Sequence, residues 1–273
     1  KYGMIGSTDN HVSMTTTREE NYFGKLPSED PSPDRYKGVF LKDSKTGEVI
    51  VSNWQLVASG LVAVWARENT REAIFDAMAR KEVYASTGTR ITVRVFAGWD
   101  FEPDEVQRPD FAALGYARGV PMGGDLLTAP ADAAPTFMVR ALRDPDGANL
   151  DRVQIIKGWL DADGTTHERI YDVAVSDGRE IGADGRARTP VGSTVDIADA
   201  SFTNSIGDVM FMAHWRDPDF DPDQRAFYYV RVIEIPTPRW TAYDAKRFGI
   251  TMPDEVPMTV QERAYSSPIW YTP

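Results

Sequence analysis

Two residues near the start of the chain have side chains suited to chemistry. Asp9 and His11 close the stretch GMIGSTDNH, residues 3–11. A carboxylate and an imidazole at positions i and i+2 of an extended segment face the same side. Past the end of a strand both can converge on one ion or one water, which is a way to build a metal site or an acid/base pair. On residues alone the plain alternative weighs about as much: Asp9 caps the following turn and His11 is a satisfied surface histidine, because a D-x-H pattern recurs by chance.

A second group is the turn STGT, residues 86–89, with Arg90 after it. A glycine-containing turn with hydroxyls and a guanidinium can hold an oxyanion such as phosphate or sulfate. The commoner arrangement is structural, with Thr87 and Gly88 turning the chain and Arg90 paired to a carboxylate. We read Thr87 that way and keep Arg90 as a candidate substrate contact. Arg18, Glu19, Glu20 and Asn21 could line the same mouth, although such a charge run is mostly a solvated face. The third group, DPDFDPDQ at residues 217–224, sets four aspartates at alternate positions. Hard cations favour clustered oxygens, but the glycine and terminal glutamate of an EF-hand loop are missing, so a tight strand-to-strand loop is expected. His214 reads as a core or edge histidine with a satisfied hydrogen bond. The FYY run at 227–229 reads as sheet packing.

These groups need elements to position them. Residues 2–7 are apolar and β-prone and predict an opening strand, followed by a long polar loop over residues 10–45. The stretch 53–65 is apolar enough for burial, with helix and strand unresolved. Asn69 or Thr70 can cap a helix with Arg71 and Glu72 in its first turn, an apolar stripe at Ala73, Ile74, Ala77 and Met78, and a basic end at Arg80 and Lys81. A strand follows with Ile91, Val93, Val95 and Ala97 in alternation. Residues 102–135 are rich in Pro, Gly and Ala and read as an excursion between strands. Strand candidates then start at Thr136, Val153, Arg169, Ser193, Asp208 and Ala226, separated by Asx and Gly turns at 144–147, 162–164 and 183–185. Their spacing predicts an antiparallel β-sandwich. After Pro236 a Pro-rich, aromatic tail is expected to wrap onto the body.

Composition narrows the functional classes. The chain has 273 residues, 42% apolar and 26% charged, as expected of a soluble globular protein. With no cysteine, disulfides, thiolate metal sites and cysteine nucleophiles are excluded. A net charge of −11 opposes phosphate-backbone and anionic-lipid binding. No apolar run approaches the roughly 20 residues of a membrane span. The chain starts at Lys1 rather than Met, so we expect a segment of a longer protein or a processed product, with periplasm and cytoplasm both open.

The run IGSTDNH and the helix NTREAIFDAMARKEVYASTGTRI resemble the C-terminal end of the polymerase-and-histidinol-phosphatase (PHP) superfamily, in which a late barrel strand ends in a Gly-Ser-Asp-x-His-like motif. Here Thr8 stands between the Ser and the Asp. The stretches NYFGK, GLVAVWARENTREAIFDAM, YASTGTRI, FAGWDF and FYYVRVIEIPTPRW resemble the bacterial family DUF3604, placed among the PHP-like hydrolases, over nearly the whole chain. The resemblance implies an α+β architecture: residues 1–100 as the C-terminal strand, loop and helix of a distorted PHP-like α/β barrel, and residues 101–273 as an antiparallel β-sandwich with a wrapping tail. It implies that Asp9 and His11 ligate a divalent metal, Zn, Mn or Fe. The His-x-His and other early ligands of such barrels have no match here, since His167 and His214 fall in the sandwich. The expected function is therefore a metal-dependent hydrolase of a small anionic phospho- or sulfoester. This chain would supply the last ligands and the N-terminal barrel portion of the same protein the others. The rival expectation is a noncatalytic β-sandwich that binds a ligand or stabilises a partner.

Overall fold

The chain opens without a ladder. In the computed structural model, which describes residues 1–273, the expected strand at residues 2–7 joins no sheet. It is held instead by a bond from Met4 N–H to Ser267 Oγ at 2.9 Å and one from Gly60 N–H to the Ser7 carbonyl at 3.0 Å. Two isolated bonds leave the other backbone groups without the regular partners of a ladder. Glycine is needed at position 6, where a Cβ would lie 2.5 Å from the Leu61 carbonyl oxygen.

The polar loop that follows holds a two-stranded hairpin, β1 (Val39–Lys42) and β2 (Val49–Ser52). The ambiguous stretch 53–65 ends in β3 (Leu61–Val64). Helix α1 (Arg71–Ala79) starts where expected, with Thr70 Oγ1 accepting from Ala73 N–H. Its apolar stripe is not a core face: only Ala77 is buried, and Phe75 and Met78 are exposed. β4 (Val83–Ser86) and β5 (Thr92–Gly98) flank the STGT turn.

Residues 102–135 contain an element that composition concealed, helix α2 (Phe111–Arg118), followed by the short strands β6 (Gly119–Pro121) and β7 (Asp125–Leu127). The expected strands then appear as β8 (Thr136–Leu142), β9 (Leu150–Leu160), β10 (Thr166–Val175), β11 (Met210–Arg216) and β12 (Arg225–Glu234). The candidate beginning at Ser193 is not a strand; its one bridge pairs Asp196 with Ser201. The tail does more than wrap. After β13 (Thr237–Pro238) it forms helix α3 (Trp240–Phe248), β14 (Thr259–Val260), β15 (Arg263–Ser266) and β16 (Ile269–Thr272).

Two open sheets pack face to face. One has eight strands in the order β10-β9-β12-β15-β4-β3, with β16 along the other half of β12 and β7 parallel to β16; the other runs β11-β8-β5-β6. Their facing sides alternate as the pleat requires: Val93, Val95 and Ala97 of β5 and Phe137, Val139 and Ala141 of β8 meet Tyr228, Val230 and Val232 of β12 in one core. The back of the smaller sheet is buried as well, with Phe96 and Met138 under Phe101, Val106 and Phe111. A third cluster, Tyr22, Leu56, Ala58 and Trp240, fastens the N-terminal loop to α3. Arg35 reinforces it: its Nη2 donates to Asp244 at 2.9 Å while the guanidinium lies 4.3 Å from the Trp240 ring centroid.

Candidate functional site

Asp9 ends the extended segment in the left-handed backbone region, at φ 53°, a conformation that aspartate tolerates better than most residues. Its carboxylate is largely exposed and receives Lys25 Nζ at 3.2 Å; Lys25 Nζ also donates to Ser59 Oγ at 3.0 Å. His11 is exposed, and its backbone N–H donates to the Lys25 carbonyl at 2.8 Å. The left-handed turn at Asp9 breaks the extended run, so the backbone does not impose the expected same-side relation with His11; the two side chains still offer an oxygen and a nitrogen donor of the types that suit a divalent ion. They are not a complete set, since nowhere in the chain do three or more His, Asp or Glu side chains gather as a metal site would need.

Arg90 sits elsewhere, on the turn between β4 and β5. Its backbone N–H donates to Asp144 Oδ2 at 2.8 Å and its Nη2 to Asp146 Oδ2 at 2.8 Å. Burial pushes the Asp144 carboxyl up, but the N–H groups of Arg90 and Asp146 and the Arg90 charge outweigh it and hold the group below the usual range. Arg18 Nη2 reaches the same Asp146 at 3.5 Å. The loop after the D-x-H segment and the STGT turn do meet, at a carboxylate. Neither Asp9 nor His11 takes part.

Beneath Arg18 and Asp146 lies a cavity of about 90 Å³ lined by Glu19, Gly88, Thr89, Asp144, Glu234 and Glu262. Here the sequence reading missed the chemistry. Glu234 follows Val230 and Val232 on the core-facing row of β12 and is 0% exposed. Its backbone N–H donates to the Glu262 carbonyl at 2.9 Å, which sets the two glutamates opposite one another, and neither Glu234 oxygen has a hydrogen-bond donor. Burial, and then the Glu262 charge, push the Glu234 carboxyl up to about 8. Burial pushes Glu262 up to about 7, although the Thr87 hydroxyl donates to it. Such a pair holds protons near neutral pH. The available signal was parity: a Glu at the inward position of an otherwise apolar alternation.

The remaining candidates are bound up in the fold. Asp217 is buried against Lys157 Nζ at 2.6 Å and the Tyr228 hydroxyl at 2.7 Å. Asp219 accepts from Arg169 and Tyr171, and Asp221 from the N–H of Asp223. The acidic run is thus the β11–β12 loop. His214 Nε2 donates to the Phe101 carbonyl at 2.8 Å, and β11 is an edge strand.

A comparison with curated proteins finds no match. The family model of DUF3604, described as a protein of unknown function, matches residues 1–273. That match spans every element described above, and the chain belongs to the DUF3604 family.

Proposed function

We propose that the chain is part of a metal-dependent hydrolase: an extended N-terminal segment that completes a PHP-like α/β barrel, joined to a two-sheet β body that already includes β3, β4 and β5. Asp9 and His11 are two ligands of its divalent ion, and the N-terminal barrel portion of the same protein supplies the rest. When bound, such an ion lowers the pKa of a water and polarises a phosphoryl or sulfuryl ester. Lys25 orients the Asp9 carboxylate; Arg90, the candidate contact for an anionic substrate, stands on another turn paired with Asp144 and Asp146 and would have to leave them to meet it. The observation that carries this reading is display. Asp9 and His11 stand exposed on a segment flanked by exposed Ile5 and Met14, as ligands do that face another body of protein.

The experiment is elemental analysis of a longer form carrying residues upstream of Lys1, purified without chelator, alongside assays on p-nitrophenyl phosphate and sulfate. Asp9→Ala and His11→Ala are expected to lose bound metal and ester hydrolysis while the β-sandwich stays folded. Unchanged metal stoichiometry in either variant rejects the ligand assignment.

A second reading, a noncatalytic binding module, is favoured by the aromatic outer face of the larger sheet.

A further inference from the structure

We propose that the outer face of β9, β12 and β16 is a binding site for a neutral oligosaccharide or polysaccharide. The inference is independent of the metal reading. Its basis is a row across the sheet in which Glu168, Gly158, Phe227 and Trp270 stand opposite one another in register. All four lie on the side away from the core, because the adjacent row of Ala226 and Tyr271 points inward.

Gly158 shapes the floor. A Cβ at this position would fall 2.3 Å from Phe227 Cζ, so the ring tip leans across β9 into space that any other residue would fill. Phe227 then lies 5.3 Å from Trp270 and 6.4 Å from Tyr229, the last pair only 13° from parallel. Tyr2 packs edge-on to Trp270 at 5.5 Å. Phe227, Tyr229 and Trp270 are half-buried.

The space above Phe227 and Trp270 is a cleft of about 850 Å³, within the roughly 300–1,000 Å³ typical of small-molecule sites. Its lining is mainly apolar and aromatic, and its charged side chains Lys1, Glu168 and Arg225 have both signs. Lys1 is already paired with Asp125, which leaves one acid and one base. Balanced charge around an apolar floor suits an uncharged ligand with an apolar face and many hydroxyls. Sugar rings meet that description: their C–H faces lie on aromatic rings, and their hydroxyls both donate to a carboxylate and accept from a guanidinium. Nucleic acid and anionic lipid are opposed by the net charge of −11.

The test is electrophoresis of the 273-residue chain through native gels containing a neutral β-glucan, a xylan or a galactomannan, with titration calorimetry of oligosaccharides from the same polymers. At least one polymer is expected to retard the wild type. Phe227→Ala and Trp270→Ala should weaken that binding by roughly tenfold or more. Phe75→Ala, exposed on α1, should bind as wild type. If an aromatic variant fails to fold, Glu168→Ala and Arg225→Ala keep the test decisive, because both side chains are exposed and their loss should still weaken binding. Retardation by none of the three polymers overturns the proposal, as does unchanged binding in the folded variants. Binding of phospholipid vesicles or of choline at the cleft in place of the polymers also overturns it.

Discussion

Glu234 shows how one residue can dominate the pH response of a fold. The unfolded carboxyl titrates near 4.5 and the folded one near 8. Between those values the native state holds a proton that the unfolded chain has released, so stability falls as pH rises through the window. Glu262, raised to about 7, acts in the same direction. Glu234→Gln keeps the shape of the protonated acid without the charge. We expect it to stabilise the protein by roughly 2–4 kcal/mol at pH 8, to change little near pH 5, and to flatten the pH profile between them. Denaturant melts at both pH values check this, and an equal shift at both would mean that the carboxyl does not titrate in the window. Legibility at this scale was uneven. Asp9, His11 and Arg90 stood out because their types and spacing are local properties. Glu234 and Glu262 meet across a strand pair that no local pattern joins, although the inward parity of Glu234 in AFYYVRVIE was there to be read.

At the scale of elements, regular alternation was legible and helices without strong signals were not. β5, β8, β9 and β12 announced themselves because each buries every second side chain in a shared core. The opening strand failed for the converse reason. Its apolar, β-prone composition was right, but a strand exists only with a partner, and the segment makes only one backbone-to-backbone bond, from Gly60 to Ser7, beside the free edge of β3. Helix α2 was hidden by its own glycine. Gly115 lowers helix propensity by about 1 kcal/mol relative to Ala, yet a Cβ there would lie 2.3 Å from Cγ of the buried Phe96 ring. We therefore expect Gly115→Ala to destabilise by about 1–3 kcal/mol despite the better propensity, because overpacking outweighs it. Thermal melts of Gly115→Ala alone and combined with Phe96→Leu separate the terms. If the Phe96→Leu background leaves the cost of Gly115→Ala undiminished, the ring is not the cause. Helix α3 ended on a signal that was readable, Lys246 and Arg247 in its last turn with Gly249 beyond at φ 62°, but its tail setting drew attention to aromatic packing instead.

At the scale of the whole molecule, apolar exposure is uneven, and this bears on how the chain is used. Ten of the 21 exposed large apolar side chains lie within the first 62 residues. Five of them, Val39, Phe40, Leu41, Val49 and Ile50, belong to the β1–β2 hairpin, which pairs with no other strand. A lone two-stranded hairpin is marginal in water, and an apolar one gains stability when another surface covers it. The same stretch carries Asp9 and His11, so the proposed ligands and the uncovered apolar surface occupy one part of the chain. Amide hydrogen exchange tests the connection. In the 273-residue chain, hairpin amides should exchange orders of magnitude faster than those of β9 and β12, whose ladders lie inside the larger sheet. In a longer form carrying the upstream residues, the hairpin amides should gain protection while β9 and β12 stay as they were. Fast hairpin exchange in both forms would mean that this surface meets no further part of the protein, and the proposal that Asp9 and His11 complete a site with upstream residues would lose its structural support.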